Sequence, residues 1–206
     1  WDSTLEAGGS DGGPALRLGL RQISGMAEEE AKKLVAARVR ARFADVHDFW
    51  MRAGIRLETV ERLAAADAFR SLGLDRRQAL WEVKALNGAV PLPLFAWSET
   101  RDAGPEPAVV LPRRPLAEHV VNDYQTLRLS LKAHPMMFLR GGLKRRRILS
   151  CEDMRETRDG QWVSVAGVVL VRQQPGTAKG VVFMTIEDET GVANAVVWAK
   201  TLERYR

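Results

Sequence analysis

Residues Arg172 to Gly191 constrain this chain more than any other part of it. They read Arg-Gln-Gln-Pro-Gly-Thr-Ala-Lys-Gly-Val-Val-Phe-Met-Thr-Ile-Glu-Asp-Glu-Thr-Gly: a basic Gly/Pro hairpin, a strand-forming run, then an acidic Gly turn. On either side lie Trp162 to Val171 and Val192 to Trp198, both dense in strand formers and bounded by Gly, Pro and Asp. The order strand, hairpin, strand, turn, strand predicts an antiparallel meander.

Such a meander opens an OB-fold barrel, whose second and third strands commonly hold single-stranded nucleic acid. A barrel needs five strands, and three precede Arg206. The chain also opens on Trp1-Asp2-Ser3 without Met, so a piece of a longer protein with a truncated barrel is expected. Arg172 and Lys179 bracket the first hairpin and are candidates to contact a nucleic-acid backbone. Phe183 and Trp198 either stack on bases or fill the barrel, since both faces of these strands are apolar. Adjacent residues on a strand point to opposite faces, so Glu187-Asp188-Glu189 reads as a turn rather than a metal site.

Upstream the pattern is helical. Glu28 to Arg42 places Ala27, Ala31, Leu34 and Val35 on one face, with Glu28–Lys32 and Glu29–Lys33 as outward i,i+4 pairs. Leu57 to Ala66 turns Val60, Leu63 and Ala64 inward. A third helix starts at Asp75, with Gln78 completing a capping box and Gly88 at its stop. Pro115 opens another, with Leu116, Val120, Tyr124 and Leu127 at helical spacing. The domain reading is a mobile stretch 1–15, a helical domain 16–88, a Pro-rich linker 89–115, a helical connector 116–160 and the OB region 161–206. The fold class is therefore α+β and multi-domain.

Ile23-Ser24-Gly25-Met26-Ala27 before the first helix resembles a helix-hairpin-helix. That motif offers backbone N–H groups at a helix N-terminus to a DNA phosphate, which makes Gly25 and Ala27 candidate DNA-binding positions. A tight turn between packed helices would read the same way. Lys144-Arg145-Arg146-Arg147 is either a solvated basic face or a nucleic-acid contact. Pro91-Leu92-Pro93-Leu94-Phe95 sets an apolar pair on a Pro-rich tether, which suits an extended docking peptide anchored by Leu92, Leu94 and Phe95.

Composition sets the outer limits. Thirty-one Lys+Arg against 26 Asp+Glu leave +5, compatible with an acidic polymer as partner. The one cysteine, Cys151, permits no internal disulfide, and a reducing cytoplasm is the expected location. No apolar run approaches the roughly 20 residues of a membrane span. No nucleophile triad, phosphate loop or metal-ligand spacing is present, so no catalytic residue is assigned.

Leu18-Gly19-Leu20-Arg21-Gln22, Ala65 to Gly73, Ser130-Leu131-Lys132-Ala133-His134-Pro135 and above all Arg172 to Gly191 resemble the C-terminal region of bacterial error-prone DNA polymerases. These are the translesion paralogues of the C-family replicative alpha subunit. The resemblance departs at Asp67, where the family often has Gly, and at Pro91, where its clamp-binding pentapeptide prefers Gln. It implies DNA-templated synthesis past lesions in a repair response, with magnesium held by a palm domain that this chain lacks. Implied partners are single-stranded template, primer-template duplex, the sliding clamp and an accessory protein resembling an inactive lesion-bypass polymerase. Two other readings stay open: a protein-interaction scaffold without DNA affinity, and an OB anticodon-binding module of a tRNA-acting enzyme.

Overall fold

A computed structural model describes residues 1–8, 12–86 and 111–205. These fall into two compact units, Trp1–Ser130 and Leu131–Arg206. Leu92, Leu94, Phe95 and the expected stop at Gly88 lie outside the described residues.

The first unit opens with strands β1 (Thr4–Ala7) and β2 (Pro14–Arg17), paired antiparallel with Thr4 opposite Arg17. The sequence reading left residues 1–15 mobile. Residues 4–7 and 14–17 are instead paired strands, which an Arg17–Glu6 ion pair ties together. Gly19 then presses against the Trp1–Ser3 backbone so closely that no Cβ would fit.

Five helices follow: α1 (Glu28–Arg40), α2 (Val46–Ala53), α3 (Leu57–Ala65), α4 (Arg76–Ala85) and α5 (Leu116–Leu127). Their apolar faces meet in one core containing Leu34, Val46, Phe49, Val60, Leu63, Phe69 and Val83. Each large side chain so buried contributes about 1.5–3 kcal/mol. Phe49 packs edge-on to Phe43 at 4.9 Å and to Phe69 at 5.0 Å. The Asp75 carboxylate accepts from the N–H groups of Arg77 and Gln78, the expected cap of α4. Helix α3 ends in a Schellman turn, Ala68 N–H to Leu63 C=O and Asp67 N–H to Ala64 C=O. Asp67 holds φ of 63° there, a conformation that Asp tolerates better than most residues, and its carboxylate accepts from Arg70. On α1, Lys32 takes both Glu28 and Glu29, where the sequence paired Glu29 with Lys33.

The second unit holds α6 (Arg140–Arg145), α7 (Cys151–Arg155), β3 (Val168–Gln173), β4 (Val182–Asp188), β5 (Gly191–Val197) and α8 (Ala199–Arg204). The three strands form an open antiparallel sheet in the order β3-β4-β5, so the α+β arrangement is as expected, with the sheet unclosed. The first strand starts six residues later than the sequence suggested. Leu149 N–H donates to Ser164 C=O at 2.8 Å and Leu149 bridges Val165, which takes that backbone out of the ladder; Trp162 is 99% exposed.

Candidate nucleic-acid interface

In the first unit a 3-10 turn, Leu20–Gln22, leads through Ile23, Ser24, Gly25 and Met26 into α1. Ile23 and Met26 are buried and pin the turn to the core, while Ser24 and Gly25 stay exposed. Gly25 has φ of 75°, and a Cβ there would come within 2.8 Å of the Arg62 guanidinium. The positive φ favours glycine, and a side chain there would also displace the Arg62 guanidinium. Arg62 also donates to the Gly25 carbonyl, so it is the cation nearest the turn, a residue the sequence reading did not single out. From the other side, α5 supports the turn. Ser24 N–H donates to Thr126 C=O at 2.8 Å, and Gln22 Nε2 to Leu127 C=O at 3.3 Å.

Ala27 is the N-cap of α1 and supplies no side-chain cap. The first turn instead carries Glu28, Glu29 and Glu30, which favour the positive helix end. Glu30 is buried; the Arg56 guanidinium outweighs burial and, with the Thr59 hydroxyl, holds its carboxyl at about 2. The Gly25 turn thus has Arg62, itself ion-paired with Glu58, as its neighbouring cation, and the exposed carboxylates of Glu28 and Glu29 follow in the first turn of α1.

The second unit gathers a different set. Gly176–Ala178 form a 3-10 turn closed by Lys179 at φ of 46° and Gly180 at φ of 84°. A Cβ on Gly180 would lie 3.2 Å from the Ala199 methyl, so hairpin and α8 approach closely. This brings Lys179, Trp198 and Lys200 around one open cleft of about 620 Å³, which Thr177, Val181 and Ala199 also line. Trp198 is 66% exposed and both lysines are exposed. An exposed indole on a cleft that two lysines also line can stack a planar base while the ammonium groups neutralise its flanking phosphates. Lys200, at the start of α8, is a residue sequence reasoning missed.

Arg172 and Phe183 are not brought together. Register sets Arg172 opposite Met184 and Gln173 opposite Phe183, so the two project from opposite faces. Phe183 stands on the surface, 44% exposed, across from Val196, while its neighbour Val182 is buried.

Lys144 to Arg147 are all exposed, the first two in the last turn of α6 and Arg147 at φ of 58° just beyond it. Their helix is anchored by Arg140, which bonds Asp188 at 2.7 Å and also Glu189. Asp188 is buried and accepts in addition from Cys151 N–H at 2.8 Å, Thr190 N–H at 2.8 Å and the Thr190 hydroxyl at 2.6 Å. Burial alone would raise its carboxyl; these donors and the Arg140 charge hold it at about 2. The Glu187-Asp188-Glu189 run thus carries an ion pair and a turn, and Glu187 faces His134 at 3.8 Å. Among the described residues no helix is long and apolar enough to cross a membrane.

A family model described as "Helix-hairpin-helix motif" matches residues 1–79. The chain is 54% identical over 195 residues to "Error-prone DNA polymerase 1" of Rhizobium meliloti, covering 93% of this chain and 17% of that protein. It is 52% identical over 199 residues to "Error-prone DNA polymerase" of Bradyrhizobium diazoefficiens, covering 97% and 17%. Against "Error-prone DNA polymerase 1" of Agrobacterium fabrum it is 50% identical over 219 residues, covering 100% and 20%. The chain therefore spans no more than a fifth of the length of these curated relatives.

Proposed function

Because the chain is homologous to a segment of the bacterial error-prone DNA polymerases, we propose that it is a non-catalytic, DNA-holding and partner-docking part of such an enzyme. The observation that carries this reading is the Lys179–Trp198–Lys200 cleft, whose aromatic face and paired cations fit single-stranded template during damage-induced synthesis across lesions. The helix-hairpin-helix would hold duplex backbone without reading sequence, and Lys144 to Arg147 would add phosphate contacts. Arg172 would act from the opposite face of the sheet to Phe183. The polymerase chemistry, with its magnesium, would reside in the remaining part of the longer protein, in a bacterial cytoplasm. Primer extension by the isolated chain would overturn that assignment.

Fluorescence anisotropy with a labelled oligo-dT strand and a primer-template duplex, repeated across a salt series, tests the reading. Trp198→Ala is expected to weaken single-strand binding by about 1–3 kcal/mol. Lys179→Ala and Lys200→Ala should each flatten the slope of log K against log salt by roughly 0.7. Unchanged affinity in all three variants would remove the cleft from the interface. No DNA affinity at low salt would move the assignment to an interaction scaffold, and preference for tRNA would move it to an anticodon-binding module.

Docking to the sliding clamp rests on Leu92, Leu94 and Phe95 in the Pro-rich segment, and an accessory bypass-polymerase-like protein is the second proposed partner. The Leu94→Ala, Phe95→Ala double variant should lose most of its clamp affinity in surface plasmon resonance. Equal binding by variant and wild type would discard that contact.

A further inference from the structure

The helical unit contains a cavity of about 440 Å³ that none of the roles above uses. Its wall is built from the edge-packed rings of Phe43, Phe49 and Phe69, and its rim carries Arg17, Arg38 and Arg42. Arg38 lies in the last turn of α1, about 15 Å along the axis from the first, while Leu20 of the preceding 3-10 turn also lines the cavity. Neither Gly25 nor Ala27, the positions assigned to DNA in the proposed function, lines it.

The rim is held in place. Arg52 donates to the carbonyls of Ala37 at 3.1 Å, Ala41 at 2.8 Å and Arg42 at 3.0 Å, and lies 4.8 Å over the Phe43 ring. One side chain thus satisfies the open carbonyls at the end of α1 and fixes the connection that presents Arg42. Arg17 is engaged by Glu6. Arg17 lowers the Glu6 carboxyl and Arg38 lies close enough to help, and among the described residues neither the Arg38 nor the Arg42 guanidinium is hydrogen-bonded to a carboxylate or carbonyl. Three lining arginines against the one carboxylate of Glu6 leave the cavity mouth positive, which is complementary to an anion that also carries an apolar group.

We propose that this cavity is a docking site for an acidic protein segment bearing one large apolar side chain, which enters the Phe-lined cavity while flanking carboxylates meet Arg38 and Arg42. A nucleobase fits less well. Its polar edge would need several hydrogen-bond partners, and Ser71 is the only neutral side chain lining the cavity that could provide one. A Leu or Phe side chain carries no such requirement.

The probe is a fluorescein-labelled peptide, Asp-Glu-Leu-Phe-Asp-Glu, titrated with the full chain and followed by anisotropy, with chemical-shift mapping of the Phe49 and Phe69 rings. Saturable binding in the micromolar range is expected, with shifts confined to the cavity. Arg38→Glu with Arg42→Glu should weaken it by about tenfold or more. Both positions are exposed, so the fold is not at risk. Ala68→Trp, an exposed lining position, should plug the cavity and abolish binding without altering affinity for oligo-dT. Absence of peptide binding, unaltered binding in both variants, or displacement of the peptide by oligo-dT would each overturn the proposal. Loss of DNA binding by Trp198→Ala bears on the cleft of the second unit alone, so the two readings fail separately.

Discussion

Asp123→Ala is expected to destabilise the helical unit by about 3–5 kcal/mol, a large share of the roughly 5–15 kcal/mol that holds a domain together. Asp123 on α5 is 1% exposed and its partner Arg76 is 2% exposed. Arg76 is the first residue of α4, the end of a helix where the dipole disfavours a cation. What keeps it there is the Asp123 carboxylate, with a further bond from Arg76 Nη1 to His119 C=O at 3.1 Å. Ser130 donates to the second carboxylate oxygen at 2.8 Å. Removing the carboxylate leaves a guanidinium in a dry site without its counter-charge. Urea unfolding, followed by far-UV circular dichroism and by fluorescence of Trp50, whose indole N–H is bonded to Ile55 C=O, should show the lower midpoint. Arg76→Met with Asp123→Leu should recover more than half of the loss, because two apolar groups of similar volume leave no unpaired charge. A wild-type midpoint for Asp123→Ala would refute the account. The change also reaches the hairpin, since α5 carries the Thr126 and Leu127 carbonyls that brace Ser24 and Gln22.

That dependence was not legible in the sequence. Periodicity gave α1, α3 and α4 to within a residue or two, because Ala31, Leu34, Val60, Leu63, Ala79 and Val83 recur at helical spacing and bury on one face. It also gave the start of α5, which was assigned to a connector. What makes α5 part of the helical unit is a buried pair 47 residues apart in sequence, and no local pattern encodes that distance. Helix α2 was missed although its punctuation is present: the Asp45 side chain accepts from Asp48 N–H, and Gly54 ends the helix at φ of 57°. The helix is only two turns long, and Met51, 53% exposed, interrupts its apolar stripe.

At the candidate site the same division holds. The hairpin, Lys179 and Trp198 were readable from turn chemistry and strand flanks. Lys200 was not, because the chain must leave β5 at Trp198 and start α8 before that side chain comes alongside Lys179. The separation of Arg172 from Phe183 follows from strand alternation, but only once the register is known.

The second large effect belongs to Asp188. Its carboxylate joins Arg140 on α6, the N–H of Cys151 on α7 and the Thr190–Gly191 turn between β4 and β5. Alanine at 188 should cost about 1–3 kcal/mol, since it strips several N–H donors of one shared acceptor, while Arg140, itself 21% exposed, keeps Glu189 as its partner. The same carboxylate gives the unit its acid sensitivity. An ordinary Asp titrates near 3.8, and Asp188 is held at about 2, so the folded form prefers the ionised group. The stabilisation is complete above pH 3.8 and is lost as pH falls from there through 2, by on the order of 2 kcal/mol. Amide hydrogen exchange at Cys151, Thr190 and Gly191 reads this directly. In wild type these amides should lose protection over that window, and in Asp188→Asn they should start less protected and vary little across it. Because Arg140 anchors the helix that bears Lys144 and Arg145, either variant should also weaken single-strand binding at neutral pH without touching a residue of the Trp198 cleft. Full amide protection in Asp188→Ala would show that β4, β5 and α7 hold their turn without the carboxylate, and unchanged single-strand binding would show that the anchor at Arg140 does not control Lys144 to Arg147.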